Sequence, residues 1–584
     1  MPSTNTVKRR ELAPLIVPSQ SANAAPSRTR DLDIGRPPTG PRSPNFQDRP
    51  RTAANDRSGD VGPTRPAVRT QGPKAATGNI WGDLRPGALA ELLKGAPVQF
   101  ASPTLRALFM TVLQSAPFSD PDLSATQPKL AALRAAGLYD RGLIEQPPSS
   151  GSAPATPTGD PSLAALNAML SARADLAGGH WQEACPRVRT QLSAPGGISK
   201  PIMAQLLMLG GVCAAFAEKP GGASLAARLA RDAGFDRDVT LSLLEAVDRP
   251  AGARDVSLQG KSLDGIDVRL IQLAKLDVPP SAIADLEPSG LAALSDARTD
   301  EALSRILAAE RGARANIITV SALGEAYRSA DSLRRADPQL PATERAALFV
   351  EIERTQAFLQ RTRLIRNLLD LAAKDGLYLQ AAMLVSDATA SLPKIPEIGW
   401  FAETAVEVLT AGGRPDEARA WADLADREAD RRRSRFDHWR ALIAISDANS
   451  GRDAERYLGA VERLAIAKRF KPEHLHVIAT TLDALDYQVP FGLWEAANAT
   501  PQPRSGHLPP TGTLRRLADA AKAKTVGATI MLTMTTLGPS RPADANILAL
   551  GDAIRALKRS GQRDAARRLA FEALFAIWPR NGPR

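Results

Sequence analysis

The chain has 584 residues, more than one ordinary compact domain holds, so several domains or an extended array are expected. Hydrophobic residues make up 43 % and aromatics only 4 %, with alanine and leucine dominant, which favours helices over sheets. The formal charge of +11 is uneven: residues 1–78 carry +7 and the remainder +4, which argues against a broadly basic nucleic-acid surface on the body.

Residues 1–78 hold 12 prolines with many Ser, Thr, Arg and Asn, and almost no periodic apolar positions. Such a segment cannot bury enough apolar surface to offset its ordering entropy, so a disordered basic tail is expected. Within it Lys8-Arg9-Arg10 precedes Leu12-Ala13-Pro14-Leu15-Ile16-Val17, and Ala22-Asn23-Ala24 follows. The order imitates a secretory signal. Glu11, Pro14 and Pro18 keep the apolar part below the roughly 7–15 residues such a signal needs, so a solvated linker is the simpler reading.

From Trp81 the pattern shifts to apolar residues three and four apart, predicting a small helical block over 79–146 with helices at Thr104–Gln114 and Lys129–Ile144. Residues 147–161, with the core SSGSAPATPTGDP, read as a flexible linker. Helical patterning then runs over 162–577, broken near Ser193–Ser199, Ala336–Ala342, Ser391–Glu397 and Thr500–Thr513, where Pro or Gly occurs; 578–584 is a short tail. No apolar run reaches the roughly 18 residues a membrane-spanning helix requires; Ile202–Ala217 has the length of a hairpin helix.

The two cysteines, Cys185 and Cys213, fall in consecutive helices joined by the turn Ala194–Ser199. Counting from the turn leaves an axial mismatch near 8 Å at about 1.5 Å per residue, which tilt and loop can absorb. A disulfide stapling the two helices is expected. The alternative is a pair of buried thiols, since free cysteine is commonly buried. A bridge would imply an oxidising compartment, hence a periplasmic or envelope location rather than a cytoplasmic one.

A weak spacing recurs in the body. Leu409, Gly413, Ala418 and Trp421 share their offsets with Leu557, Gly561, Ala566 and Leu569, and Gly376 and Gly179 match in part. In physical terms a helix ends at a left-handed glycine, a small residue lets the next helix approach, and a large one fills the groove. This resembles the tetratricopeptide-type helical hairpin, without its strict period or full set of Trp, Tyr and Pro. The resemblance implies an all-α, irregular solenoid of hairpins; a compact multi-helix bundle is the rival. The two-cysteine hairpin and the unit Ala556–Gly561 also resemble exported bacterial helical-repeat proteins of unknown function.

Signatures of catalysis are missing. The histidines His180, His438, His474, His476 and His507 form no HExxH, and His474 and His476 point about 200° apart on a helix, so no metal site is expected. No phosphate loop and no dinucleotide fingerprint occurs, so no cofactor is expected, and Gly210-Gly211 and Gly221-Gly222 read as packing or turn glycines. Ser391-Leu392-Pro393-Lys394 fits S-x-x-K but sits among prolines, off any helix. Arg427, Arg431, Arg432, Arg433 and Arg435 alternate with acidic residues and read as a solvated face. Trp181, Trp400 and Trp421 take hairpin packing positions. The expected function is a non-catalytic interaction or scaffolding protein with other proteins as partners. The alternatives are an enzyme whose site in a helical bundle or toroid leaves no motif, and nucleic-acid association through the tail.

Overall fold

Proline sets many of the helix starts. Its missing N–H is one of the donors left unbonded at any helix N-terminus, and its fixed φ already suits a helix. The structure, a computed structural model, describes residues 80, 84, 86–100, 102–114, 127–144, 161–194, 196–250, 253–296, 301–333, 340–428, 436–503 and 505–580. The expected tail over 1–78, the linker before Pro161, the cations Arg431, Arg432, Arg433 and Arg435, and residues 581–584 lie outside these. By its internal contacts the chain divides into two units, 1–66 and 67–584, and every described residue belongs to the second.

Among the described residues there are 26 α-helices and no β-strand. The first block is α1 (Pro86–Gly95), α2 (Pro103–Gln114) and α3 (Gln127–Asp140). Next come α4 (Pro161–Ala177), α5 (Trp181–Leu192), α6 (Lys200–Phe216), α7 (Gly222–Asp232) and α8 (Asp238–Val247). They are followed by α9 (Gly265–Leu273), α10 (Pro288–Ser295), α11 (Ala302–Arg314) and α12 (Val320–Arg328). The middle is α13 (Pro341–Arg354), α14 (Phe358–Lys374), α15 (Tyr378–Leu384), α16 (Ser386–Ala390), α17 (Ala402–Ala411), α18 (Pro415–Glu428), α19 (Asp437–Ser446) and α20 (Glu455–Ile466). The last are α21 (Pro472–Ala484), α22 (Phe491–Asn498), α23 (Thr511–Lys522), α24 (Val526–Leu537), α25 (Ile547–Arg559) and α26 (Arg563–Phe575). Proline is the first residue of α1, α2, α4, α10, α13, α18 and α21.

One turn recurs at many helix ends. Gly413 and Gly561 are left-handed (φ 72° and 91°), and the next residue donates back to the carbonyl of Leu409 or Leu557, at 2.8 and 2.9 Å. Leu409, Ala418 and Trp421 are buried on one hairpin, and Leu557, Ala566 and Leu569 on the other. The same closure follows Gly142, Gly179, Gly234 and Gly376. It also follows six residues that are not glycine: Glu218, Lys275, Asn316, Lys468, Asp486 and Lys524. A side chain at left-handed φ costs about 1 kcal/mol or more, so Lys468→Gly and Lys524→Gly should each stabilise the chain by about 0.5–1 kcal/mol. Denaturant midpoints check this; a loss of stability in both would contradict it.

Apolar spacing predicts continued helix between α8 and α9, but residues 253–264 are irregular. Gly260 is left-handed there, and Leu258 and Leu263 are nevertheless buried. Arg254 holds the segment by donating to the carbonyls of Arg249 and Ala274, both at 2.8 Å. The α5–α6 pair carries the expected disulfide: Cys185 and Cys213 have Cα atoms 5.6 Å apart, inside the bridging range. Trp181 stacks on Phe216 beside it, whereas Trp400 is 53 % exposed and fills no hairpin groove.

The longest-range contacts converge on α24, which packs on α1 and α2, and on α26, which packs on α19, α21, α25 and α2. Glu572 accepts from the Thr104 amide (3.2 Å) and hydroxyl (2.6 Å) at the start of α2. Arg568 reaches the carbonyls of Thr410 and Ala411 at the end of α17. Arg567 reaches the carbonyls of Ala444 in the last turn of α19 and of Asp447 and Gly451 beyond it. Each guanidinium satisfies carbonyls that a helix end leaves unbonded and complements its dipole. Through α2 and α26 these contacts join helices from the two ends of the described residues. The all-helical expectation itself is met.

Candidate functional site

The strongest concentration of perturbed groups lies at the N-terminus of α9. Asp264 caps the helix, its carboxylate accepting from the Ile266 and Asp267 amides at 2.9 and 3.0 Å. Asp267 reaches back to the Asp264 amide at 3.0 Å and completes a capping box. Two guanidiniums face the pair. Arg173 of α4 donates to Asp264 at 2.7 Å, and Arg237 contacts Asp264 at 3.2 Å and Asp267 at 2.7 Å. Thr240 of α8 donates to the other Asp267 oxygen at 2.6 Å, and the Arg173 guanidinium lies 4.2 Å over the Tyr139 ring.

Environment drives the two carboxyls apart. Burial alone would raise Asp264, but Arg173 and Arg237 carry it below the ordinary aspartate range. Burial and the neighbouring Asp264 charge push Asp267 up to about 7. Burial and Asp264 likewise raise the Tyr139 phenol. Arg173, Arg237 and Asp264 line a partly enclosed cavity of about 120 Å³, together with Gln205, Phe235 and Thr240.

A carboxyl pair split in this way is the arrangement general acid–base chemistry uses. Two facts weigh against it here. The cavity is far below the roughly 300–1,000 Å³ of small-molecule sites and holds about four waters at liquid density. Asp267 is fully buried, does not line the cavity, and already has both oxygens engaged. The constellation fastens α9 to α4 and α8.

It also sets a pH dependence. The folded pKa of Asp267, about 7, lies above the roughly 3.9 of an unfolded aspartate, so the folded state holds an extra proton between about pH 4 and 7. Stability from this group is therefore greatest near pH 4 and falls as pH rises toward 7. Glu301, raised to about 7 by burial and a hydrogen bond with Asp277, has the same sign. Thermal midpoints of Asp267→Asn should thus vary less with pH across that window than those of the natural chain. An unchanged slope would contradict the assignment.

Elsewhere the sequence candidates do not assemble. Among the described residues no three His, Cys, Asp or Glu side chains gather as a metal site. His438 is buried, and burial pulls its imidazole down to about 4, while His476 meets the Thr500 carbonyl at 3.1 Å. The Ser391 hydroxyl donates to the Ala388 carbonyl at 2.8 Å, one turn back. A side chain at Gly211 would meet Ala226 at 2.9 Å, so that glycine permits the close approach of α6 and α7. Arg427 is exposed at the end of α18.

The sequence reading missed Arg173, Arg237, Asp264 and Asp267. The pattern Asp264-x-x-Asp267 before an apolar run is a capping-box signal and was available. Nothing local marks Arg173, in an Ala/Leu-rich helix 91 residues before Asp264. A wider groove of about 470 Å³ lies between α23 and the end of α25, lined by Arg515, Ala518, Asp519, Ala521, Lys522 and Arg559. No helix is long and apolar enough to cross a membrane among the described residues. No family model, curated protein or solved structure matches the chain.

Proposed function

We propose that the chain is a non-catalytic interaction protein, an irregular array of tetratricopeptide-like hairpins working in the bacterial periplasm or envelope. One observation carries the reading: these buried carboxylates are engaged in internal cross-links. Asp264 and Asp267 fasten α9, Glu310 joins α11 to α13 through Arg345, and Glu407 of α17 holds Arg580 at 2.8 Å. Glu572 ties α26 to α2. Groups so engaged hold elements in place and leave little to act on a substrate. The cysteine pair supports an oxidising compartment.

The experiment is chemical cross-linking in intact cells, followed by mass spectrometry of the linked peptides. The expected result is a reproducible set of links from the 162–577 body to one or a few other proteins. Links confined to the chain itself would overturn the proposal.

The enzyme alternative rests on the cavity at Arg173 and Arg237, where the Arg173 Nε is buried without a protein acceptor. A small molecule retained by the natural chain and lost from Arg173→Met would favour it.

A further inference from the structure

We propose that the groove between α23 and the C-terminal end of α25 receives a partner helix whose charges read acidic, basic, acidic along one face. The inference rests on the interaction-protein reading and adds the place and the chemistry of the partner.

Arg515, Asp519 and Lys522 are spaced four and three apart, so they share one face of α23 and span about 10 Å, two helical turns. Arg559, in the last turn of α25, forms the facing wall. Between them Ala518 and Ala521 leave the floor low, with room for a second helix to approach. Leu517 and Ala521 of α23 are buried and Thr513, Leu514 and Ala520 half-buried, while Arg515, Ala518, Asp519 and Lys522 on the groove face are exposed or at its floor.

Two of the groove's cations are unspent. Neighbouring cations are taken: Arg555 by Asp483 and Asp552, Lys558 by Asp486, Arg567 and Arg568 by helix-end carbonyls. Lys522 and Arg559 have no ion-pair partner among the described residues, and Arg515 has Asp519, at 3.0 Å and largely exposed. Adjacent Arg516 and Lys524 add positive charge. The body as a whole is nearly balanced, so this is a local field that attracts carboxylates.

Charge pattern selects the occupant. A phosphate backbone is uniformly anionic and would meet Asp519 midway. The groove is also short, and none of its lining residues is an aromatic on which a base could stack. The chain's own 1–78 segment carries +7 and would be repelled. A helix with Glu opposite Lys522 and Arg515, and Lys opposite Asp519, satisfies all three.

The test uses the full chain and two fluorescein-labelled, alanine-based helical peptides. One bears Glu, Lys and Glu at positions spaced four and three; the other has these charges inverted. Fluorescence anisotropy should show the first peptide binding, with affinity falling as salt rises, and the second binding at least fivefold more weakly. In the charge-swapped variant Arg515→Glu/Asp519→Lys/Lys522→Glu/Arg559→Glu the preference should reverse, and recovery of binding by the inverted peptide shows that the variant is folded. Equal binding of both peptides, or binding of the first peptide that survives the charge swap or is lost only when residues 1–78 are removed, would overturn the groove proposal. If the peptides fail while cellular cross-links to another protein remain, the groove is wrong and the interaction reading stands.

Discussion

Replacing Glu310 by alanine should cost the folded chain about 3–5 kcal/mol, the usual penalty for removing one partner of a buried ion pair. Arg345 holds Glu310 with two parallel bonds, at 2.7 and 2.6 Å, and both side chains are 2 % exposed. The Tyr327 hydroxyl donates to the same carboxylate at 2.8 Å. Truncation leaves a buried guanidinium with Asp375 and the Leu371 carbonyl, and a buried phenol with no acceptor. Helices α11 to α14 meet at this point, so amide exchange should accelerate there first. The double variant Glu310→Leu/Arg345→Met should recover part of the loss, because the fully buried charges are gone while the Tyr327 phenol still lacks its acceptor. A single variant within about 1 kcal/mol of the natural chain would contradict the account.

Reduction of the Cys185–Cys213 bond should have the second large effect. The cysteines are 28 residues apart, and the chain-entropy relation gives about 3–4 kcal/mol for a closed loop of that length. The loss should be local. Among the buried residues of α5 are only Ala184, Cys185 and Val188, and Pro186 removes one of its backbone donors. Hydrogen exchange over 181–192 should therefore rise sharply in reductant and in Cys185→Ser/Cys213→Ser. Exchange in α25 and α26 should not change. Protection of α5 that is indifferent to reductant would mean its packing on α4 and α6 suffices.

What the sequence made legible follows from the range of each signal. Helical class, the Pro and Gly breaks and the cysteine pair are local or nearly so, and they were readable. The hairpin turn was read only where glycine marks it. Half of its occurrences place Lys, Glu, Asn or Asp at left-handed φ, which no glycine-based spacing detects. The irregular chain at 253–264 was missed because Leu258 and Leu263 keep an apolar spacing that a helix would share. The capping box at Asp264 and Asp267 was a local signal left unread. Its arginines were not recoverable, since Arg173 and Arg237 reach it only after α4, α8 and α9 have packed. The same holds for Glu572 and Thr104, which are 468 residues apart.

Native mass spectrometry of the chain, isolated gently from its own cells, tests the central claim most directly. The 62.1 kDa chain should carry the added mass of another protein and shed that mass as salt is raised. A chain that arrives alone with a bound small molecule, lost on substitution of Arg173, would contradict it and move the function to the cavity beside Asp264.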